Sequence, residues 1–354
     1  MKLKEQPDAS PARSQRRREA LAGLVLLLVA SMATAACFGP STLGPTRVAR
    51  LLGQRLAGQA LPQVDAAAGD ILFEVRLPRV CLAVAVGAGL GLAGLAMQTL
   101  FRNPLASPYV LGVSSGAALG AALAMGTAGA GLARSLSVPP VAVAAGLATS
   151  LLVYGIARGA GGLFAHTLLL SGMAVAAFLS ALLSLTVYLS GERLQELVFW
   201  LMGGLWRATW PQVALVGTAT VLGYAALHVL RRPLDVLALG DRGARDVGLN
   251  VRRTKESLLV IGSVLASVAV AVSGVIGFVG LVVPHLARLV VGGAHRRLVP
   301  AAALGGGLLL LWADTAARSL REPVEVPVGI VTAVLGAPFF LFLLRRAGVR
   351  RASE

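Results

Sequence analysis

The chain has 354 residues, of which 56% are hydrophobic and 14% carry charge, and its mean hydropathy is +0.78. A soluble domain carries charge on about a quarter of its residues, so most of this chain's surface does not face water. The net charge of +16 does not indicate a nucleic-acid partner, because the arginines stand in short runs between apolar stretches. Composition therefore excludes a soluble domain and favours a membrane protein.

Ten apolar stretches are candidates for membrane-spanning helices. A spanning helix needs about 20 apolar residues, and charged residues separate the stretches 21–38, 80–98, 106–125, 138–157, 167–190, 213–230, 258–275, 278–291, 298–317 and 326–344. The eighth is the shortest and contains Gly and Pro. The pattern predicts an all-α, polytopic membrane protein of about ten transmembrane helices. They form one permease domain, residues 21–347, between a basic tail at 1–20 and a second tail at 348–354.

The first stretch also has features of a secretory signal. It follows Arg16-Arg17-Arg18, small residues stand at 33–36, and Cys37 admits a lipoprotein signal. A chain with many later spans does not need a cleaved signal, so a retained first helix is predicted.

The distribution of arginine predicts the orientation. Ten spans place both termini on one side, and basic residues are more numerous in the tails and loops of that side. Cytoplasmic loops carry the excess of Lys and Arg. Both termini are therefore expected in the cytoplasm of a bacterial inner membrane, with outer segments at 39–75 and 191–212 and the longest cytoplasmic loop at 233–250.

The cytoplasmic loop 233–250 has the pattern of two short helices. Pro233 is expected to stop the preceding span, Gly240 to separate the helices, Asp241 to N-cap the second and Gly248 to end it. Such helices have little core of their own and would gain order in a partner's groove, although a loop lying on anionic lipid is the alternative. The residues expected at this contact are Leu234, Leu237, Leu239, Gly240, Asp241, Ala244, Arg245, Val247 and Gly248.

Two other functional classes have some support in the residues. Asp314 lies within a late span, four residues before Arg318, which predicts a structural ion pair but also admits an ion-coupled secondary carrier. Residues 112–116 fit the G-x-S-x-G pattern of serine hydrolases, with Ser114 as nucleophile and His285 as base. That motif needs a strand before its turn, so small residues at a helix contact are the preferred interpretation.

The residues do not indicate a metal site, a cofactor or ATP hydrolysis on this chain. Cys37, Cys81 and the four histidines lack metal-ligand spacing. None of the three lysines follows a glycine, so the Gly-Lys-Ser/Thr step of a P-loop is missing. If the protein uses ATP, hydrolysis must take place on another chain.

Two long stretches and one short one resemble a known family. The first has R-L-P-R at 76–79, N-P-L-A-S-P at 103–108 and L-G-V-S-S-G-A at 111–117. The second has G-F-V-G-L-V-V-P-H at 277–285, V-P-V-G at 326–329 and G-A-P-F-F at 336–340, and L-A-L-G-D stands at 237–241. Over residues 20–347 the chain resembles the FecCD family of ABC importer permeases, which take up vitamin B12, haem and ferric siderophores.

The resemblance implies an assembly. Two copies of a ten-helix subunit would form one pathway, two ATP-binding cassette subunits would hold ATP and Mg, and a periplasmic or lipid-anchored binding protein would deliver the substrate. It also implies that residues 76–190 and 255–344 are related halves of opposite orientation. The substrate would be a metal chelate, with a ferric siderophore or cobalamin favoured over haem, although fold alone cannot separate them.

The resemblance also implies roles for single residues. Arg76, Arg79 and Arg318 would pair with acidic residues of the binding protein, although contact with lipid headgroups is the alternative. The cytoplasmic gate would include Asn103 and Leu105, and the next candidates for it are His166 and Thr167. Ser107 stands where the family more often has an acidic residue, so the charge of this loop differs.

Overall fold

The computed structural model describes residues 11–39, 43–59, 62–127, 132–159, 164–320 and 324–352. Within these ranges the chain is helical and has no strand. The helices are α1 Pro11–Cys37, α2 Pro45–Leu56, α3 Ala66–Asp70, α4 Leu77–Leu100, α5 Val113–Thr127, α6 Leu132–Gly159, α7 Ala165–Tyr188, α8 Leu194–Leu201, α9 Trp210–Val229, α10 Arg231–Leu237, α11 Asp241–Asp246, α12 Val251–Ser273, α13 Val279–Val291, α14 His295–Ser319 and α15 Val328–Ala352.

The predicted all-α, polytopic architecture is confirmed. In the part of the chain that the structure describes, seven helices are long and apolar enough to cross a membrane, and Val113–Gly126, Val279–Val291 and Val328–Phe342 are shorter apolar helices. Each of these ten corresponds to one predicted stretch. Two boundaries differ from the prediction. The second span continues back to Ala66 through a π-helical turn, Ile71–Arg76, in which Arg76 is buried and donates hydrogen bonds to backbone carbonyl groups of α1. The third begins only at Val113, because Gly112 adopts a left-handed φ of 71° that interrupts the helix.

Two sets of four helices repeat the same order and the same contacts. The set α4, α5, α6 and α7 and the set α12, α13, α14 and α15 each run long, short, long, long. The first helix of each set packs against the third helix of the other, and each second helix packs against the third and fourth of its own set. A residue with a left-handed backbone conformation precedes each short helix: Gly112 stands before α5 and Phe278 before α13. These pairings support two related halves, and their opposite orientation stays a prediction.

Helix α4 lies at the centre of the bundle and touches α14 without intervening side chains. A Cβ atom added at Gly87 would lie 2.2 Å from the carbonyl oxygen of Gly306, and one at Gly91 would lie 2.4 Å from that of Ala302. Gly94 meets Gly280 of α13 in the same way. Small residues let membrane helices approach closely. Since α4 also packs against α9, α12 and α13, it forms the axis around which the described helices are arranged.

Candidate functional site

A cluster of buried charges lies at one end of the α4–α14 pair. In the bidentate contact of Arg79 with Asp314, the guanidinium Nε lies 2.9 Å from Oδ2 and Nη2 lies 2.9 Å from Oδ1. The Nη1 of Arg79 lies 2.8 Å from Oε1 of Glu325, in the segment before α15. The Asp314 side chain is 2% exposed and that of Glu325 is 26% exposed. A buried arginine is stable only when such partners compensate for its lost hydration.

Two further arginines at this end cap helix α1. Arg76 donates to the carbonyl oxygens of Ala36 and Cys37, and Arg318 donates to those of Ala35 and Phe38. The last carbonyl groups of a helix have no partner within it, and the positive charge of an arginine favours that end. The arginines therefore hold the end of α1 against the bundle.

Arg76, Arg79 and Arg318, the arginines expected to pair with the binding protein, are buried within this subunit. They are 3%, 7% and 3% exposed, and their guanidinium groups contact carboxylate and carbonyl oxygens of this chain. The sequence shows their charge but not these partners, one of which lies 235 positions away. Their docking role stays a prediction, and in this structure these side chains do not present their charge to another protein.

The predicted Asp314–Arg318 ion pair is present, although it is the weaker contact of the acid. Arg318 Nε lies 3.8 Å from Asp314 Oδ2, whereas both carboxylate oxygens of Asp314 lie 2.9 Å from nitrogen atoms of Arg79. An acid so fully engaged is poorly placed to exchange protons with a pathway. The geometry therefore argues against a carrier that uses Asp314.

The G-x-S-x-G segment does not form a hydrolase site. Ser114 lies in the first turn of α5 and is 7% exposed. Within the described ranges, no hydrogen bond joins it to His285, and the segment follows a 3-10 turn, Pro108–Leu111, in place of a strand. The contact of Gly116 with Thr149 of α6 shows why small residues stand here: a Cβ atom would lie 2.0 Å from the threonine hydroxyl.

The predicted gate residues are solvent-accessible but belong to two separate groups. Asn103 Oδ1 accepts a hydrogen bond from the backbone N–H of Leu105 at 2.9 Å, and Leu105 is 37% exposed. His166 stacks on Phe164 with 5.7 Å between the ring centroids, and Thr167 is half-buried one residue further along α7. No hydrogen bond or ring contact joins the two groups among the residues that can be described. Their gating role stays a prediction.

Ser107 also has a local structural function. Its hydroxyl accepts a hydrogen bond from the backbone N–H of Tyr109 and caps the 3-10 turn. The serine side chain therefore stabilises the start of this turn.

The loop 233–250 contains two short helices, α10 and α11, as the pattern indicates, but three details differ. Pro233 lies in the first turn of α10 and does not end a helix, because the N–H that proline lacks has no partner there in any case. Gly240, with φ of 96°, is the N-cap of α11, whereas Asp241 is its first residue and accepts a hydrogen bond from Lys255. Gly248, with φ of 83°, follows α11 as predicted.

The faces of these two helices separate the predicted contact residues. Leu234, Leu237 and Ala244 are fully buried against the bundle, so they hold the helices in place. Leu239 and Val247 are 67% and 63% exposed, and Arg245 is exposed with them. The predicted contact residues that are available to a partner therefore include two apolar side chains, Leu239 and Val247, and the adjacent Arg245.

A family model described as the FecCD transport family matches residues 25–346. The chain belongs to this family. Among its relatives, it is 45% identical to the cobalamin import system permease protein BtuC of Halobacterium salinarum, over 79% of this chain and 74% of that one. It is 44% identical to the hemin transport system permease protein HmuU of Yersinia pestis, over 80% and 85% of the two chains. The molybdate import system permease protein MolB of Haemophilus influenzae is 34% identical over 97% of this chain and 99% of its own.

Solved structures agree with this membership of the FecCD family. A metal-chelate type ABC transporter in an inward-facing conformation is 33% identical, with a TM-score of 0.80, and the match covers 93% of this chain and 99% of that chain. PsaBC from Streptococcus pneumoniae, at 15% identity and a TM-score of 0.52, shares the fold alone. This FecCD chain is a multi-pass membrane protein and the permease subunit of a binding-protein-dependent ABC importer.

Replacing Asp314 with asparagine tests the buried cluster. The change removes the charge that compensates Arg79 and Arg318, and breaking one partner of a buried pair costs about 3–5 kcal/mol. We expect a large fall in the thermal unfolding temperature of the purified protein in detergent.

The matched control is Glu196→Gln, since Glu196 pairs with Arg207 at a surface where Arg207 is 66% exposed. An exposed pair contributes less than about 1 kcal/mol. Equal unfolding temperatures for the two variants would show that the cluster contributes no special stability.

Proposed function

We propose that two copies of this chain form the membrane pathway of an importer that carries a metal chelate into the cytoplasm. ATP and Mg would be bound by two separate cassette subunits, and a periplasmic or lipid-anchored binding protein would deliver the chelate. The observation that carries the proposal is the surface of α10 and α11, in a chain that belongs to the FecCD family. Leu239 and Val247 are exposed there while their neighbours anchor the helices.

The substrate class follows from the relatives of this chain. Relatives of 41–45% identity are named for the import of cobalamin, hemin and ferric dicitrate. Each of these is a metal held within an organic ligand, so a chelate of this kind is the proposed substrate.

A second copy of the chain is proposed because several spans have apolar faces that their own subunit does not cover. On α7, Leu170, Met173 and Phe178 are 65%, 61% and 64% exposed, and on α15 Val334 and Leu335 are 66% and 57% exposed. Lipid or a partner subunit must cover such faces.

We propose that α10 and α11 face the cytoplasm together with both termini. The positive-inside rule supports this orientation. In a variant without Cys37 and Cys81, a cysteine at the exposed Arg242 should resist an impermeant thiol reagent in intact cells, and one at the exposed Arg55 should react. Labelling of the cysteine at position 242 together with protection of the cysteine at position 55 would show that the chain has the opposite orientation.

The contact with the ATPase is tested by Leu239→Asp combined with Val247→Asp. Carboxylates at these two positions would remove the apolar contact while leaving the buried Leu234, Leu237 and Ala244 intact. We expect the ATPase subunit to be lost on purification and ATP-dependent uptake of cobalamin, hemin or a ferric siderophore to stop, with a normal amount of permease in the membrane.

The control is Leu56→Asp on α2, because Leu56 is 87% exposed and lies in the proposed outer segment. It should leave both measurements unchanged. Full recovery of the ATPase and normal uptake in the double variant would place the contact elsewhere on the chain.

A further inference from the structure

One buried histidine joins three separate parts of the chain at the end of the bundle that holds α10 and α11. His295 is the first residue of α14 and is 6% exposed. Its ring Nδ1 lies 2.7 Å from Oδ1 of Asp235 in α10, and its ring Nε2 lies 3.1 Å from Oγ1 of Thr99 in α4. The backbone N–H of His295 also donates to Asp235 Oδ1, at 2.9 Å. Asp235 therefore caps α14 and holds its first side chain.

Hydrogen-bonding groups hold the imidazole ring on both sides. Its Nδ1 atom faces the carboxylate of Asp235, and its Nε2 atom faces the hydroxyl of Thr99, which also lies 2.8 Å from the carbonyl oxygen of Leu95. A hydrogen bond to a carboxylate is stronger than one between neutral groups, so the link resists separation.

The position of this link gives it a mechanical consequence. Apart from it, α10 is held to the bundle mainly by Leu234 and Leu237, whose apolar contacts can slide. Directional hydrogen bonds cannot slide in this way. Because α4 and α14 touch through their backbones at Gly87 and Gly306, a displacement passed to Thr99 and His295 moves both helices together.

We propose that Asp235, His295 and Thr99 are positioning residues that transmit the movement of α10 to the α4–α14 pair during transport. The inference rests on the proposed function, in which the ATPase subunit contacts α10 and α11. It adds the route by which that contact reaches the spanning helices. None of the three residues touches substrate or nucleotide; they act by holding helices in register.

The test uses Asp235→Ala, Thr99→Val and the double variant in the complete transporter, with wild-type ATPase subunits and loaded binding protein in proteoliposomes. The quantity measured is the number of chelate molecules imported for each ATP hydrolysed. We expect each single variant to lower this ratio by about 5- to 150-fold, the range of typical coupling between two sites. The double variant should lower this ratio no further than the single variant with the larger effect, because both substitutions remove the same link.

Matched controls separate coupling from folding. Thr149→Val removes a buried hydroxyl that, like Thr99, donates to the carbonyl four residues before it. Glu19→Ala removes an exposed acid of α1, a helix that is not part of the proposed ATPase contact. Loss of folded protein lowers import and hydrolysis together and leaves their ratio unchanged. If Asp235→Ala does not fold, Asp235→Asn keeps the oxygen acceptor and removes only the charge, and it is measured in its place.

The results distinguish failure of the link from failure of the proposed function. A wild-type complex without ATP-dependent import would contradict the proposed function. If the wild type imports and the Asp235 and Thr99 variants keep the wild-type ratio, the link is overturned while the proposed function stands. Ratios lowered equally by the Thr149 and Glu19 controls would also overturn it.

Discussion

The backbone contact between α4 and α14 is the constraint on which the rest of the structure depends. Apolar side chains gain little when they leave lipid for another helix, so membrane helices must be held by close packing and by hydrogen bonds. At Gly87 and Gly91 there is no room for even one methyl group. This contact sets the spacing of the central pair, and the charge cluster at one end and the His295 link at the other require that spacing.

The buried charges have a consistent physical explanation at both ends of the pair. Buried arginines require compensation, and here two carboxylates and the carbonyl groups that end α1 supply it. At the other end, Asp235 lies within hydrogen-bonding distance of the ring of His295, and Asp241 compensates the charge of the buried Lys255. The charged groups thus join segments that are distant in sequence, and their directional bonds define how those segments are oriented.

The sequence predicted the spans and the two short helices well, because both follow from local patterns. Apolar length indicates a spanning helix, and Gly240 and Gly248 adopt the positive φ angles that separate the short helices from their neighbours. The burial of Arg76, Arg79 and Arg318 could not be predicted in the same way. It depends on contacts with Asp314, with Glu325 and with the end of α1. Pairs so far apart in the chain leave no periodic signal. Family resemblance supplied the function, and the geometry then separated the anchoring residue Ala244 from the exposed Val247.

The central claim is tested most directly by the thermal unfolding temperature of Gly87→Ala in detergent, compared with Gly155→Ala in α6. Both replace a helical glycine with alanine, which by itself favours a helix. A Cβ atom at Gly87 would meet the carbonyl oxygen of Gly306, whereas one at Gly155 would meet no atom within 4 Å. Overpacking costs about 1–3 kcal/mol or more. We therefore expect a clear fall in the unfolding temperature for Gly87→Ala and no fall for Gly155→Ala. Equal unfolding temperatures in the two variants would contradict it.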